Sequence, residues 1–271
     1  MPPVENSGVR INYSVTGDGP VAVVLVHGWN IDKSYWDEHV PALSVKFKVV
    51  TLDLGGHGAS GKNRSTWKLK DYAADVIAVI NGLALDNVIL VGHSMGGNII
   101  LEVANAIPDK VIGFVGVDNF KNVGTVYTDA DKESIQNYFK EFHAAYDATA
   151  ESYARQLLFT AESDSAAVER VVKDFRAADS VIALATLEAL ILGDEQVEST
   201  ALDKLNVPVY LINSDYTPTQ QDSLRAHVKG GVEVRSISGT GHYPMIEKPG
   251  VFIAILENVL DNIVAKDSID Q

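Results

Sequence analysis

The 271 residues, of which 46% are hydrophobic, can form one substantial buried core and predict one globular unit. Asp and Glu number 36 against 22 Lys and Arg, and the resulting net charge of -14 repels nucleic acids and anionic membranes as partners. The absence of cysteine excludes disulfides and thiolate-bound metals.

The N-terminus has no basic segment followed by an apolar one, and no apolar run is long enough to span a membrane. We therefore expect a cytoplasmic protein, or a periplasmic or secreted one if a leader was removed before residue 1.

The first elements in the chain are strands. Residues 9–15 alternate in polarity, and the turn cluster at 16–20 predicts a hairpin-like entry into the apolar strand at 21–26. Further short apolar runs are typical of parallel strands that are covered on both faces. These runs are residues 48–53, 87–91, 111–117 and 207–212.

Helical patterns at residues 34–43, 70–83 and 98–106 alternate with these strands and predict a mostly parallel, doubly wound α/β sheet. Residues 119–200 instead contain acidic, alanine-rich helical patterns and no apolar strand. We interpret them as a helical cap inserted after the sixth strand. The α/β core would then comprise residues 1–118 and 201–271.

The segment Gly92-His93-Ser94-Met95-Gly96-Gly97 follows a strand and precedes a helix. Glycines two positions on either side of Ser94 allow the sharp turn that exposes a nucleophilic hydroxyl, as in a nucleophile elbow. A serine needs a base to take its proton, and the base needs an acid to orient it. His242 lies in a glycine-rich loop after the last predicted strand and is the expected base.

The expected acid is Asp215, which follows the strand at 207–212. Asp118, which ends the strand at 111–117, is the alternative acid.

Together these motifs resemble the α/β-hydrolase superfamily, in its branch with a serine nucleophile. The resemblance extends from about residue 9 to residue 264 and rests on His27-Gly28-Trp29, residues 53–60, residues 92–97, Asp215 and Gly241-His242. It implies a Ser94, Asp215, His242 catalytic triad and an oxyanion hole made by the backbone N–H groups of Trp29 and Met95. The acid of the superfamily usually lies further beyond its strand than Asp215 does, and some members carry it at the position of Asp118.

No metal is expected, because the scattered histidines lack the spacing of a helical metal site. No cofactor is expected either, because Gly17-Asp18-Gly19 lacks the strand and helix context of a phosphate-binding fingerprint. His27, His57 and His93 are interpreted as partners of backbone groups.

The predicted function is hydrolysis of a small to medium carboxylic ester through an acyl-enzyme on Ser94. The same triad would serve a carbon-carbon bond hydrolase, a lactonase or a perhydrolase, or a ligand-sensing receptor with a hydrolase fold. The partner is then a small-molecule ester or related acyl compound, and a homodimer through the cap is left open.

Overall fold

The computed structural model describes residues 3–191 and 195–270. Within these residues the chain forms nine β-strands and eleven α-helices. The strands are β1 (Val4–Asn6), β2 (Val9–Ile11), β3 (Tyr13–Thr16), β4 (Ala22–Val26), β5 (Lys48–Leu52), β6 (Val88–His93), β7 (Val111–Val117), β8 (Val209–Ser214) and β9 (Val232–Ile237). The helices are α1 (Val40–Leu43), α2 (Leu69–Gly82), α3 (Met95–Ala106), α4 (Asp129–Ala144), α5 (Tyr146–Leu157), α6 (Ser165–Ala177), α7 (Ser180–Ile191), α8 (Glu195–Leu202), α9 (Gln221–His227), α10 (Pro244–Glu247) and α11 (Pro249–Asp270).

Seven of the described strands form one sheet in the order β3-β5-β4-β6-β7-β8-β9. Strand β3 is antiparallel to β5, and the other neighbours are parallel. The inner strands β4, β6 and β8 are buried along their whole length because helices cover both faces of the sheet. The carboxyl ends of the parallel strands therefore meet at one edge, which is where ligand chemistry occurs in such sheets.

The predicted hairpin between residues 9–15 and 21–26 is wrong. Strand β3 pairs with β5 rather than β4, and β1 and β2 form a separate two-stranded sheet. The turn after β3 passes over the segment before β5, where a Cβ atom on Gly17 would lie 2.3 Å from the carbonyl oxygen of Phe47. The glycines of this turn permit close packing on that segment instead of a tight hairpin.

Helices α4 to α8 lie between β7 and β8, and we call them the helical insertion. The sequence predicts this insertion after the sixth strand, but the strand that precedes it, β7, is the seventh along the chain and the fifth of the large sheet. The count differs because residues 9–15 divide into β2 and β3 and because β1 precedes them. The insertion is joined to the core by buried hydrogen bonds. Trp29 Nε1 donates to the carbonyl oxygen of Ala183 at 2.9 Å, and the hydroxyls of Tyr72 and Thr186 lie 2.7 Å apart.

The architecture confirms the α/β-hydrolase fold expected from the sequence. Among the described helices, none is both long and apolar enough to cross a membrane.

A buried ion pair holds the loop after β5. Arg64 Nη1 lies 2.7 Å from Asp75 Oδ2, and the two side chains are 5% and 0% exposed. The guanidinium lies over the rings of Trp67 and Tyr72, and Asp75 also accepts a hydrogen bond from the amide of Gly55. Removing one partner of such a pair leaves an uncompensated buried charge, which is more costly than the pair is stabilising.

We expect Arg64→Met to lower the free energy of unfolding by about 3–5 kcal/mol, because Asp75 would remain buried without its cation. Urea unfolding followed by circular dichroism measures the change. The matched control is Asp261→Asn, which removes an ion pair with Lys46 whose side chains are about half exposed and which should leave stability close to wild type. Equal effects of the two substitutions would contradict this interpretation.

Candidate active site

Ser94 stands between β6 and α3 in a strained turn. Its backbone has φ 51° and ψ -123°, a conformation that side-chain-bearing residues rarely adopt. The surrounding glycines are required by close packing. A Cβ atom on Gly92 would lie 2.3 Å from the carbonyl oxygen of Gly96, and one on Gly96 would lie 2.5 Å from that of Val26. The turn therefore has the geometry of a nucleophile elbow, as the sequence predicts.

His242 lies in the loop that follows β9. Hydrogen bonds to its backbone amide and to its carbonyl oxygen fix this loop. Its amide donates to the carbonyl oxygen of Leu158 in the helical insertion at 2.7 Å. Its carbonyl oxygen accepts a hydrogen bond from His93 Nε2 at 2.8 Å. The carboxylate of Glu247 accepts from the amides of Gly241 and Tyr243. The imidazole is thus held from the core and from the insertion.

The acid in contact with His242 is Asp118. Nδ1 of His242 donates to Asp118 Oδ2 at 2.6 Å, and the side chain of Asp118 is 1% exposed. Asp118 directly follows β7, and its amide donates to the carbonyl oxygen of Ile212 on the adjacent strand. Its other oxygen, Oδ1, accepts from the amide and hydroxyl of Ser214 at 2.9 and 2.6 Å. These contacts fix the position of the carboxylate beside the imidazole.

Asp118 is held as an anion. Burial raises the pKa of its carboxyl, but the hydrogen bond from His242 and the charges of His242 and Lys121 more than offset burial, so that its pKa lies below the ordinary value. A buried carboxylate that accepts a hydrogen bond from Nδ1 stabilises the protonated imidazole and leaves Nε2 free to exchange a proton.

The expectation that Asp215 contacts the imidazole is wrong, and the alternative acid occupies that position. The side chain of Asp215 is exposed, and a hydrogen bond from Ser238 lowers the pKa of its carboxyl. Successive residues of a strand point to opposite faces. Ser214, the last residue of β8, turns inward to Asp118, so Asp215 turns away from His242. Asp215 directly follows β8, so no intervening residue can redirect its side chain toward His242.

The two predicted oxyanion-hole amides belong to Trp29 and Met95. Met95 is the first residue of α3, and Trp29 follows β4, whose residue Val26 pairs with Gly92 of β6. Both side chains are buried. No group in the described part of the chain accepts a hydrogen bond from either amide. Met95 lines the cleft that contains Ser94, whereas Trp29 is not among the residues that line it.

The elbow and the His242–Asp118 pair border a cleft of about 670 Å³. Ser94, Asp118 and His242 all line it. Apolar side chains from α3 and α7 form part of its wall, including Leu101 and Leu190.

The charges in the cleft are unevenly distributed. Among the described residues that line it, Lys121 is the one lysine or arginine, and its ammonium lies 2.7 Å from Asp118. Glu102 and Glu198 add carboxyl groups, and burial raises the pKa of Glu198 against the opposing hydrogen bond from Asn98. The cleft thus offers no unpaired cation to an anionic ligand within the described residues.

The remaining motif histidines contact backbone groups, as expected. His27 Nδ1 donates to the carbonyl oxygen of Gly28, while its Nε2 accepts from the amide of Leu54. Burial lowers the pKa of both His57 and His93 to about 3, so these rings are neutral. No group of three or more potential metal ligands occurs in the described residues.

Sequence reasoning missed Lys121, Ser214 and Asn119. The amide nitrogen of the Asn119 side chain donates to the carbonyl oxygen of Ser94 and so braces the elbow. A Cβ atom on Gly97 would lie 1.9 Å from that nitrogen, which explains why glycine stands there. The signal in the sequence was polar residues at the carboxyl ends of neighbouring strands: Asn119 and Lys121 after β7, and Ser214 at the end of β8.

The profile of the alpha/beta hydrolase family matches residues 23–255. The chain is 27% identical to the Karrikin insensitive 2 receptor CA of Petunia hybrida over 256 aligned residues. The alignment covers 90% of this chain and 93% of that protein. The chain is 24% identical over 266 residues to a probable esterase of Oryza sativa subsp. japonica, with 94% and 97% covered.

A hydrolase from Oleispira antarctica has the same fold. The two structures give a TM-score of 0.83 at 20% sequence identity, over 92% of this chain and 94% of the other. The fold, the nucleophile elbow and a family profile that matches most of the chain lead to the same assignment. The chain belongs to the alpha/beta hydrolase family.

Proposed function

We propose that the protein is a serine hydrolase that cleaves a small to medium carboxylic ester through an acyl-enzyme on Ser94. The observation that carries this proposal is the hydrogen bond of 2.6 Å between His242 and buried Asp118, at a cleft that Ser94 lines from a nucleophile elbow. An oriented imidazole and a serine that line the same cleft are the arrangement that acyl transfer requires.

In the proposed cycle, Ser94 Oγ attacks the acyl carbon while its proton passes to Nε2 of His242. The tetrahedral intermediate then expels the alcohol, which takes that proton from the imidazolium. Water next attacks the acyl-enzyme and gives a proton to His242, and collapse releases the carboxylic acid and returns the proton to Ser94. Asp118 stabilises the charged imidazole in both halves of the cycle.

The backbone amides of Trp29 and Met95 are the proposed oxyanion hole. Their lack of acceptors within the described residues and their origin in the loop after β4 and at the start of α3 support this role. Negative charge develops on the carbonyl oxygen only as the tetrahedral intermediate forms, so two fixed donors there stabilise the transition state more than the substrate.

The charges of the cleft support a neutral ester over an anionic substrate. Lys121 is already paired with Asp118, and Asp118 and Glu102 would repel a second carboxylate. A substrate that carries its own carboxylate would enter without a partner and would have to be desolvated. This argues against those carbon-carbon bond hydrolases and lactonases whose substrates carry such a group. A perhydrolase would use the same Ser94 chemistry with peroxide in place of water.

A second candidate is a receptor that binds and slowly hydrolyses a small signal molecule. It is supported by the 27% identity to a Karrikin insensitive 2 receptor over 93% of that protein's length. The two candidates differ in turnover, since an esterase releases product repeatedly whereas a receptor retains the acyl group or product.

Removal of the acid tests the triad. We expect Asp118→Asn to lower kcat for p-nitrophenyl butyrate by about 10³- to 10⁴-fold, because the amide would not stabilise the protonated imidazole. The matched control is Asp215→Asn, which should keep kcat close to wild type because Asp215 is exposed and turned away from His242. The opposite order of effects would make Asp215 the acid. Circular dichroism of each variant checks that the fold is intact.

Substrate charge tests the cleft. We expect kcat/KM for p-nitrophenyl butyrate to exceed that for the mono-p-nitrophenyl ester of succinic acid by about tenfold or more, because the second carboxylate would be buried without a cation. Steady-state release of p-nitrophenol measures both, and p-nitrophenyl pentanoate controls for chain length. Preference for the succinate ester would contradict the proposal, and a stoichiometric burst without turnover of any ester would favour the receptor.

A further inference from the structure

Lys121 is a buried lysine that the acyl-transfer cycle does not use. Its side chain is 9% exposed, and its ammonium lies 2.7 Å from Asp118 Oδ1. The same ammonium donates to the carbonyl oxygen and hydroxyl of Ser214 at 2.9 and 3.1 Å and to the hydroxyl of Thr217 at 3.1 Å. It lies 4.3 Å from the ring centre of Tyr216. All the hydrogen-bond donors of this ammonium therefore have acceptors within the protein.

The two oxygens of Asp118 have different partners. Oδ2 receives the hydrogen bond from His242, while Oδ1 receives those of Ser214 and faces Lys121. Ser214 by itself supplies two neutral donors to Oδ1, which is enough to orient a carboxylate. The additional feature that Lys121 contributes is a positive charge.

Burying that charge opposes folding. Burial lowers the pKa of Lys121, while the carboxylate of Asp118 opposes this change by stabilising the ammonium. An ion pair in such a position needs good geometry to offset its desolvation. A neutral side chain of similar length would avoid the cost of burying a charge, so the cation calls for an explanation in the chemistry of the site.

We propose that Lys121 is a positioning residue that holds Asp118 and partly neutralises its charge, and so weakens the attraction of Asp118 for the protonated imidazole of His242. This inference rests on the proposed function in naming His242 as the base. Lys121 acts through Asp118 and need not touch the substrate.

The direction of the effect follows from charge. An aspartate alone attracts the protonated imidazole and raises the pH at which it becomes a neutral base. A cation on the far oxygen of the same aspartate weakens that attraction and also repels the imidazolium. The enzyme would then stay active to a lower pH, at the cost of less stabilisation of the imidazolium in the transition state.

The other titratable groups near this pair are either neutral rings or carboxylates that have other partners. His93, whose ring centre is 4.8 Å from that of His242, is kept neutral by burial, and burial also raises the pKa of Tyr243 and Tyr216. Glu247 binds backbone amides of the histidine loop, and exposed Asp215 acts on Lys121 only through space. Lys121 is therefore the charge whose removal should be felt at His242.

The test is an NMR titration of the His242 imidazole in wild type and in Lys121→Met, with the resonance assigned from His242→Gln. We expect the midpoint of the titration to rise by about one pH unit in Lys121→Met. Lys121→Gln, which keeps a hydrogen-bond donor but no charge, should give a similar rise. If Lys121→Met fails to fold, Lys121→Gln carries the test.

Two controls separate charge from packing. Lys248→Met removes an exposed lysine beside the same loop, where Lys248 Nζ donates to the carbonyl oxygen of Ser238, and should leave the midpoint unchanged. Ser214→Ala removes a neutral donor to Asp118 and should move the midpoint much less than Lys121→Met does. A wild-type midpoint in Lys121→Gln, or equal shifts in Lys121→Met and Lys248→Met, would overturn the proposal.

The pH dependence of kcat/KM for p-nitrophenyl butyrate gives the kinetic readout. We expect the acid limb of the profile to move up by the same amount as the NMR midpoint. Absence of ester turnover in wild type would count against the proposed function alone, since the NMR titration needs no substrate. A shifted NMR midpoint with an unshifted acid limb would show that Lys121 does not tune the catalytic base.

Discussion

The hydrogen bond between His242 and Asp118 is the interaction on which the rest of the site depends. It joins the loop after β9 to the end of β7 through two residues that lie 124 positions apart in sequence, and its acid is buried. The parallel sheet makes it possible because β7, β8 and β9 are neighbours and end at one edge. Ser214 and Glu247 hold these two residues or their loop, and Ser94 and Met95 face the cleft beside them.

The helical insertion takes part in holding the histidine. The carbonyl oxygen of Leu158 accepts from the amide of His242, and the hydroxyl of Ser163 donates to Glu247, whose carboxylate binds the same loop. The insertion also contacts the loop after β4, where Trp29 Nε1 donates to the carbonyl oxygen of Ala183. The insertion thus contacts the elements that carry both the base and one proposed oxyanion donor, so a change in its packing would reach the catalytic groups as well as the cleft.

Much of this arrangement could be predicted from the sequence, because local patterns carried it. The apolar strands, the glycines around Ser94 and the loop of His242 follow from steric and periodic rules that act over a few residues. The acid could not be fixed in that way. Both Asp118 and Asp215 follow strands at the correct edge, and the choice depends on which side chain turns inward, which Ser214 decides by binding Asp118. Lys121 was missed because its partner is set by the fold of the segment after β7 rather than by a motif.

The most direct test of the account is the rate and position of labelling by a fluorophosphonate, which reacts with an activated serine whatever the natural substrate is. Labelling of wild type, Asp118→Asn and Asp215→Asn would be followed by intact-protein mass spectrometry and located by peptide mapping. We expect a single adduct on Ser94, formed at nearly the wild-type rate in Asp215→Asn and much more slowly in Asp118→Asn. An adduct on another residue, no adduct in wild type, or undiminished labelling of Asp118→Asn would contradict the proposed site.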